Sequence, residues 1–131
     1  MSKITIQAPE QYLHELHGWE RTLDFYKQEN AFLKMHLSEM VDKYSDLSFV
    51  EPAEQFNNRF VFIDEYILAL QQDIRLQEQM LQQHLSGDHS QDTLMKKLQL
   101  RLQSAMEKFE KEVTVLKKNF NQQMADMLRL S

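Results

Sequence analysis

Cysteine is absent from this sequence, and glycine and proline are scarce, with two of each among 131 residues. A chain without cysteine can form no disulfide, thiolate metal site or cysteine nucleophile. Average usage would give about nine glycines and about six prolines in a chain of this length. Sandwiches, barrels and doubly wound sheets spend such residues on their many turns, so the composition favours a single all-α domain with few turns.

An excess of positive charge is also missing, because 15 Lys and Arg residues stand against 20 Asp and Glu residues, for a formal net charge of -5. This balance disfavours non-specific binding of nucleic acid. No run approaches the roughly 18 apolar residues that a membrane-spanning helix needs, and the first residues lack the apolar core of a signal peptide. We therefore expect a cytoplasmic protein that does not contact a membrane.

The few prolines and glycines stand where helix ends are expected. Proline prefers the first turn of a helix, and glycine prefers the position after its end. Pro9, Pro52 and Gly87 therefore predict helices at about 9–45, 52–86 and 89–130, after a flexible segment at 1–8. Asp88 and Gln91 have the spacing of a capping box for the third helix.

Apolar residues recur with helical periods along the whole chain. Steps of four and three residues in the first helix link Tyr12, Leu16, Trp19, Leu23, Tyr26, Asn30, Leu33, Leu37, Met40 and Tyr44. In the second helix the same steps link Phe56, Phe60, Ile63, Ile67, Leu70, Ile74, Gln77, Leu81 and His84. Both are heptad patterns typical of coiled coils. The third helix repeats every 11 residues, as in Leu98, Phe109 and Phe120, which predicts a nearly straight or slightly right-handed course.

A second apolar stripe occupies the c and g positions of the first two helices. Its members are Phe25, Phe32, Phe62, Tyr66, Ala69, Leu76 and Met80. We expect the third helix to fill the groove between these stripes, while the opposite flank, with Lys34 and Asp64, stays polar. The predicted fold is an elongated antiparallel up-down-up three-helix bundle, one domain over 1–131. With Trp19 in its first helix, this layout resembles a spectrin-type repeat, which implies an architecture and no function.

Polar residues interrupt the predicted core stripes at three points, Asn30, Gln77 and His84. Asn30 and Gln77 occupy core positions, where buried polar groups need hydrogen-bond partners. Layer matching predicts that Gln77 meets the indole N–H of Trp19 and that Asn30 meets the hydroxyl of Tyr66. Polar core residues usually set helix register. A small-ligand pocket around them is the functional alternative.

Four histidines are the candidate metal ligands. His14 and His17 lie in the first helix, and His84 and His89 flank the second turn, so an up-down-up bundle brings all four to one end. Their heptad positions point apart, however, and ordinary surface histidines are the simpler interpretation. The sequence has no zinc-protease spacing, nucleophile elbow or phosphate-binding loop. We therefore expect neither an enzyme nor a cofactor.

Two further surfaces are candidates for binding. Lys97, Arg101, Lys108 and Lys111 would either bind an acidic partner or nucleic acid, or pair with Glu15, Glu29 and Asp73. At the end near the first turn lie the apolar residues Leu47, Phe49, Val50, Met124, Met127, Leu128 and Leu130. These residues form either a hydrophobic plug or an interaction patch.

The leading hypothesis is a non-enzymatic scaffold or protein–protein interaction module that binds a protein partner or associates with itself. The first alternative is a bundle that binds a metal or small ligand through the histidines or the polar core residues. The second alternative is an adaptor that binds nucleic acid or an acidic partner through the basic flank of the third helix.

Overall fold

Three long helices make up the fold. The computed structural model describes the backbone of residues 2–44 and 47–130 and the side chains of residues 9–44 and 49–129. The helices are α1 (Ser2–Lys43), α2 (Leu47–Leu85) and α3 (Asp92–Leu130). Each is about 60 Å long at 1.5 Å per residue. α1 packs against α2, and α2 against α3, so the predicted all-α three-helix bundle is confirmed.

Helix boundaries differ from the predicted ones by several residues. α1 begins at Ser2 and passes through Pro9, where the sequence predicted a flexible segment followed by a helix start. α2 begins at Leu47, five residues before Pro52, and α3 begins at Asp92 rather than near residue 89. Proline inside a helix removes one backbone hydrogen bond. The Pro9 side chain is buried, Pro52 is partly buried, and Phe49, three residues before Pro52, is fully buried.

The core consists of the predicted apolar stripes. Leu16 and Leu23 of α1 and Phe60 of α2 are completely inaccessible to solvent. In α3 the 11-residue series Leu98, Phe109 and Phe120 is buried. The same holds for Leu102, Val113 and Met124, which are also 11 residues apart. The hydrophobic period therefore predicted the buried faces of all three helices.

Two aromatic layers tie α3 to its neighbours. Phe120 makes edge contacts with Phe56 and Phe60 of α2 and with His36 of α1, at ring-centroid distances of 5.4, 5.1 and 6.0 Å. In the second layer, Phe109 lies between Tyr26 of α1 and Tyr66 of α2. Edge-to-face pairs of this kind add to the energy of area burial. These layers position α3 against both other helices.

The second apolar stripe is only partly covered, which corrects the prediction that α3 fills it. Tyr66 and Met80, at g positions, pack against the core. The residues at c positions lie farther around each helix from the a and d residues that form the helix contact. They remain exposed: Phe25, Phe32, Phe62, Ala69 and Leu76. The reason is geometric, because the single apolar stripe of α3 reaches the g positions but not the c positions beyond them.

No helix in the described part of the chain combines the length and the apolar character that crossing a membrane requires.

Candidate functional site

Three potential metal ligands meet at the turn between α2 and α3. His84 lies in the last turn of α2, His89 in the turn itself, and Asp92 is the first residue of α3. His84 Nδ1 lies 2.8 Å from Asp92 Oδ1, and His89 Nδ1 lies 3.2 Å from Asp92 Oδ2. The two Nδ1 atoms are 3.0 Å apart. We call these three residues the turn cluster; one ligand atom from each lies within 4.8 Å of the other two.

The backbone of the turn explains why these side chains converge. Gly87, with φ of 101°, ends α2 in a Schellman motif: its N–H donates to His84 O at 3.1 Å, and Asp88 N–H donates to Gln83 O at 2.9 Å. Ser90 N–H then donates to Asp88 Oδ1, and hydrogen bonds from the side chain and the backbone of Ser90 lower the pKa of that carboxyl. Asp88 thus closes an Asx turn before α3 instead of the predicted capping box. The chain reverses tightly enough to bring both histidines to Asp92.

The predicted four-histidine end separates into two parts. His14 and His17 are exposed on α1 and take no part in the turn cluster, which is the one three-ligand group among the described residues. The sequence interpretation missed Asp92 because it started α3 near residue 89. The sequence did contain a signal for Asp92: His89 and Asp92 are three residues apart, which places two possible metal ligands on either side of a helix start.

Asn30 joins α1 to α2 through its side-chain amide. Its Nδ2 donates to Phe60 O at 2.9 Å and to Asp64 Oδ1 at 2.7 Å, and Asp64 also pairs with Lys34. The predicted hydrogen bond to the Tyr66 hydroxyl is therefore wrong. Asn30 faces the polar flank, whereas Tyr66 turns toward α3 and packs on Phe109. Burial raises the pKa of Tyr66, and nearby Glu112 raises it further, so the phenol stays neutral at physiological pH.

Gln77 is fully buried and joins α2 to α3. Its Nε2 donates to Met95 O and to Gln99 Oε1, both at 2.8 Å, and its Oε1 accepts no hydrogen bond. The predicted contact with the indole N–H of Trp19 is wrong. Gln99 in turn donates to Tyr12 O and to Glu15 Oε1 of α1. Gln77 and Gln99 thus bind each other across helices, and Gln99 extends this link to α1, as register-setting groups do.

The polar groove between α1 and α2 holds a pair of carboxyl groups. Glu20 and Glu78 lie across this groove, with Asp24, Gln71 and Arg75 beside them, around a volume of about 270 Å³. A hydrogen bond to Glu78, partial burial and the charge of Glu78 together raise the pKa of Glu20 to about 7. Glu20 therefore takes up a proton near neutral pH, which is the strongest pKa change among the described carboxyl groups.

A larger groove lies between α2 and α3. It encloses about 510 Å³, with Phe62 and Ile63 on one wall and Val115 and Leu116 on the other. Arg59, Lys111 and Glu112 also line it. Although they are large apolar residues, Phe62 is 56% exposed and Val115 is 54% exposed. The bundle therefore leaves apolar surface uncovered at this groove.

Four basic residues of α3 are exposed and take no part in the described ion pairs. These are Lys97, Arg101, Lys108 and Lys111, which we call the basic row; they share one face of α3 by their helical spacing, and Lys111 lines this groove. Among the described residues, none of these four forms an ion pair, and neither does Asp73. Glu29 pairs with Lys117 on the opposite side of α3, at 2.9 Å. The predicted pairing of the basic row with α1 and α2 is not observed.

The apolar residues near the first turn form a plug in large part. Phe49 and Met124 are buried, and Met127 packs against the core. Val50 and Leu128 are exposed. The side chains of Leu47 and Leu130 lie outside the described residues. Phe49, Met124 and Met127 therefore belong to a hydrophobic plug and do not form an exposed interaction patch.

Comparison with known proteins identifies no relative: no family model, no curated protein and no solved structure matches the chain.

Proposed function

We propose that this protein is a non-enzymatic interaction module that binds an amphipathic helix with acidic flanks in the groove between α2 and α3. The observation that carries the proposal is the combination, along one groove, of uncovered apolar side chains and a row of cations without described ion pairs. Helix-in-groove binding needs both features, because apolar anchors supply affinity and flanking charges supply orientation.

The apolar part of the surface has the spacing of a helical partner. Phe62, Ala69 and Leu76 are exposed and seven residues apart, so they form a ledge with steps of about 10.5 Å along α2. Val115 faces the ledge from α3. A partner helix with a heptad pattern would place one apolar residue at each step of the ledge. The groove of about 510 Å³ is large enough for such side chains.

The charged part of the surface selects an acidic partner. The basic row runs along the outer edge of the groove, and exposed ion pairs contribute about 0.2–1 kcal/mol each. Four such pairs would favour one orientation of the partner and speed its association at low salt. Nucleic acid is a poorer fit, because the chain has a net charge of -5, Glu112 lies in the groove and the ledge is apolar.

Synthetic helical peptides can test this proposal. One fluorescein-labelled peptide carries Leu at a and d and Glu at e and g, and a second carries Lys in place of Glu. Fluorescence anisotropy should show saturable binding of the Glu peptide, with about tenfold weaker binding by Phe62→Glu or Val115→Glu. The double variant Lys108→Glu with Lys111→Glu should bind more weakly and with a smaller salt dependence.

Phe25→Glu is the matched control, because Phe25 is 58% exposed but lies on α1, away from this groove. This variant should bind the Glu peptide with unchanged affinity. Equal binding of the Glu and Lys peptides, or equal weakening by Phe25→Glu, would contradict the proposal. Tighter binding of duplex DNA than of the Glu peptide would favour a nucleic-acid adaptor instead. A dimer in light scattering that Phe62→Glu dissociates would assign the groove to a second copy of the chain.

A further inference from the structure

We propose that the turn cluster of His84, His89 and Asp92 binds one divalent transition-metal ion, with Zn²⁺ as the best fit. This site lies at the end of the bundle where the chain turns from α2 to α3, and it is separate from the groove between α2 and α3 that is proposed to bind a helix. It is independent of that proposed function, because it uses other residues and another ligand.

The separations of the three ligand atoms are close to those of a metal centre. Zinc binds histidine nitrogen and carboxylate oxygen at about 2.0–2.2 Å, usually with tetrahedral geometry. Two ligand atoms of such a tetrahedron lie about 3.3–3.6 Å apart, because the edge is about 1.63 times the bond length. The closest contacts in the turn cluster are 2.8 Å from His84 Nδ1 to Asp92 Oδ1, 3.2 Å from His89 Nδ1 to Asp92 Oδ2 and 3.0 Å between the two nitrogens. One ligand atom from each residue lies within 4.8 Å of the other two. Binding the ion would require these atoms to move apart by less than about 1 Å.

Hydrogen bonds account for two of the three contacts, but not for all three at once. A histidine Nδ1 carries either one hydrogen or one lone pair. If both Nδ1–H groups donate to Asp92, the two hydrogens point past each other across a 3.0 Å contact between nitrogens. If His89 donates to His84 instead, His84 has no hydrogen left for Asp92. One cation that accepts a lone pair from each residue satisfies all three contacts at once.

The kinds of ligand atom select the class of metal. Two imidazoles and one carboxylate suit zinc and its neighbours, whereas Mg²⁺ and Ca²⁺ prefer sites made of oxygen ligands. Three protein ligands leave one tetrahedral position for water, and the 61% exposure of the His89 side chain leaves the cluster open to solvent. His84, only 10% exposed, anchors the cluster on the bundle.

Binding is expected to stabilise the fold. The ligands come from the end of α2, the turn and the start of α3, so the ion would cross-link two helices. An ion that binds the folded chain and not the unfolded one raises the melting temperature with concentration.

Calorimetric titration of the full chain with Zn²⁺ tests the site. We expect one ion per chain, and we expect Asp92→Asn and His89→Ala each to weaken binding by at least about tenfold. The matched control is the double variant His14→Ala with His17→Ala, which removes two exposed histidines of α1 and should leave the affinity unchanged. Mg²⁺ should produce no heat above dilution.

Thermal unfolding followed by circular dichroism gives a second readout. Zn²⁺ should raise the melting temperature of the native chain and of the α1 double variant, but not that of Asp92→Asn. His89 is exposed, so His89→Ala should fold normally and keep the test decisive if Asp92→Asn perturbs the start of α3. Unchanged zinc affinity in Asp92→Asn and His89→Ala, or loss of binding in the α1 double variant, would overturn the proposal.

Discussion

Gln77 and Gln99 meet inside the bundle, where Gln77 Nε2 donates to Gln99 Oε1 at 2.8 Å. Both residues are almost inaccessible to solvent, with 0% and 3% exposure. Gln99 also donates to Tyr12 O at 3.3 Å, so this pair joins all three helices at one level. A buried polar link of this kind fixes the register of the helices, because a shift by one turn would leave its amides without partners.

Replacing either glutamine of this pair should lower the free energy of unfolding by more than half of the loss caused by replacing both. Gln99→Leu leaves one hydrogen of Gln77 Nε2 unpaired, and Gln77→Leu leaves Gln99 Oε1 unpaired. Each single variant should lower the free energy of unfolding by about 1–3 kcal/mol. The double variant should cost clearly less than the sum of the two, by about 1–2 kcal/mol. Urea unfolding of all four proteins measures this difference, and strict additivity would contradict the proposed coupling.

Phe120 should be among the residues most important for stability. It is fully buried between His36, Phe56 and Phe60, so Phe120→Ala should lower the free energy of unfolding by about 3–5 kcal/mol. Phe25→Ala is the matched control, because Phe25 is 58% exposed and should change stability by no more than about 0.5 kcal/mol. Chemical denaturation compares the two variants. Similar losses in both would be inconsistent with the described packing of α3.

The two glycines should respond to alanine in opposite ways. Gly87 has φ of 101°, a conformation that alanine rarely adopts, so Gly87→Ala should destabilise the protein by about 1 kcal/mol. Gly18 lies inside α1, and a Cβ there would meet only the side chain of Arg21, at 3.9 Å. Gly18→Ala should therefore stabilise the protein by up to about 1 kcal/mol. Melting temperatures that move in the same direction would contradict this assignment.

Stability should decrease as the pH rises through neutrality because of Glu20. Its pKa is raised to about 7 in the folded chain, above the ordinary value of 4.5. The protonated carboxyl therefore contributes stability that is complete below about pH 4.5 and is lost as the pH passes about 7. Glu20→Gln should remove this loss and raise the melting temperature at about pH 8 by ~2 °C.

Glu107→Gln is the control for this pH effect. It makes the same change in charge at an exposed position of α3 and should leave the pH dependence of the melting temperature as in the native chain. If Glu20→Gln and Glu107→Gln gave the same profile between about pH 5 and pH 8, Glu20 would not be the titrating group.

Part of the candidate sites was visible in the pattern of residues. His84 and His89 were candidate metal ligands, and the basic row and the apolar residues Phe62, Ala69 and Leu76 stood out by spacing. Asp92 did not stand out, because its role depends on where α3 begins. The predicted partners of Asn30 and Gln77 were wrong, because counting from the turns estimates the level of a residue but not which groups its side chain reaches.

Hydrophobic periodicity and the scarcity of turn residues were sufficient to predict three helices and their buried faces. Those properties are local, since each helix presents one apolar stripe whatever it packs against. Helix packing determined which side chains of different helices contact one another and which stay exposed. The orientation of α3 against α1 and α2 determined that Tyr66 is covered while Phe62 is exposed. The same packing left the basic row without described ion pairs and brought His84, His89 and Asp92 into contact. Such relationships depend on distances between segments far apart in the chain, which only the packed bundle specifies.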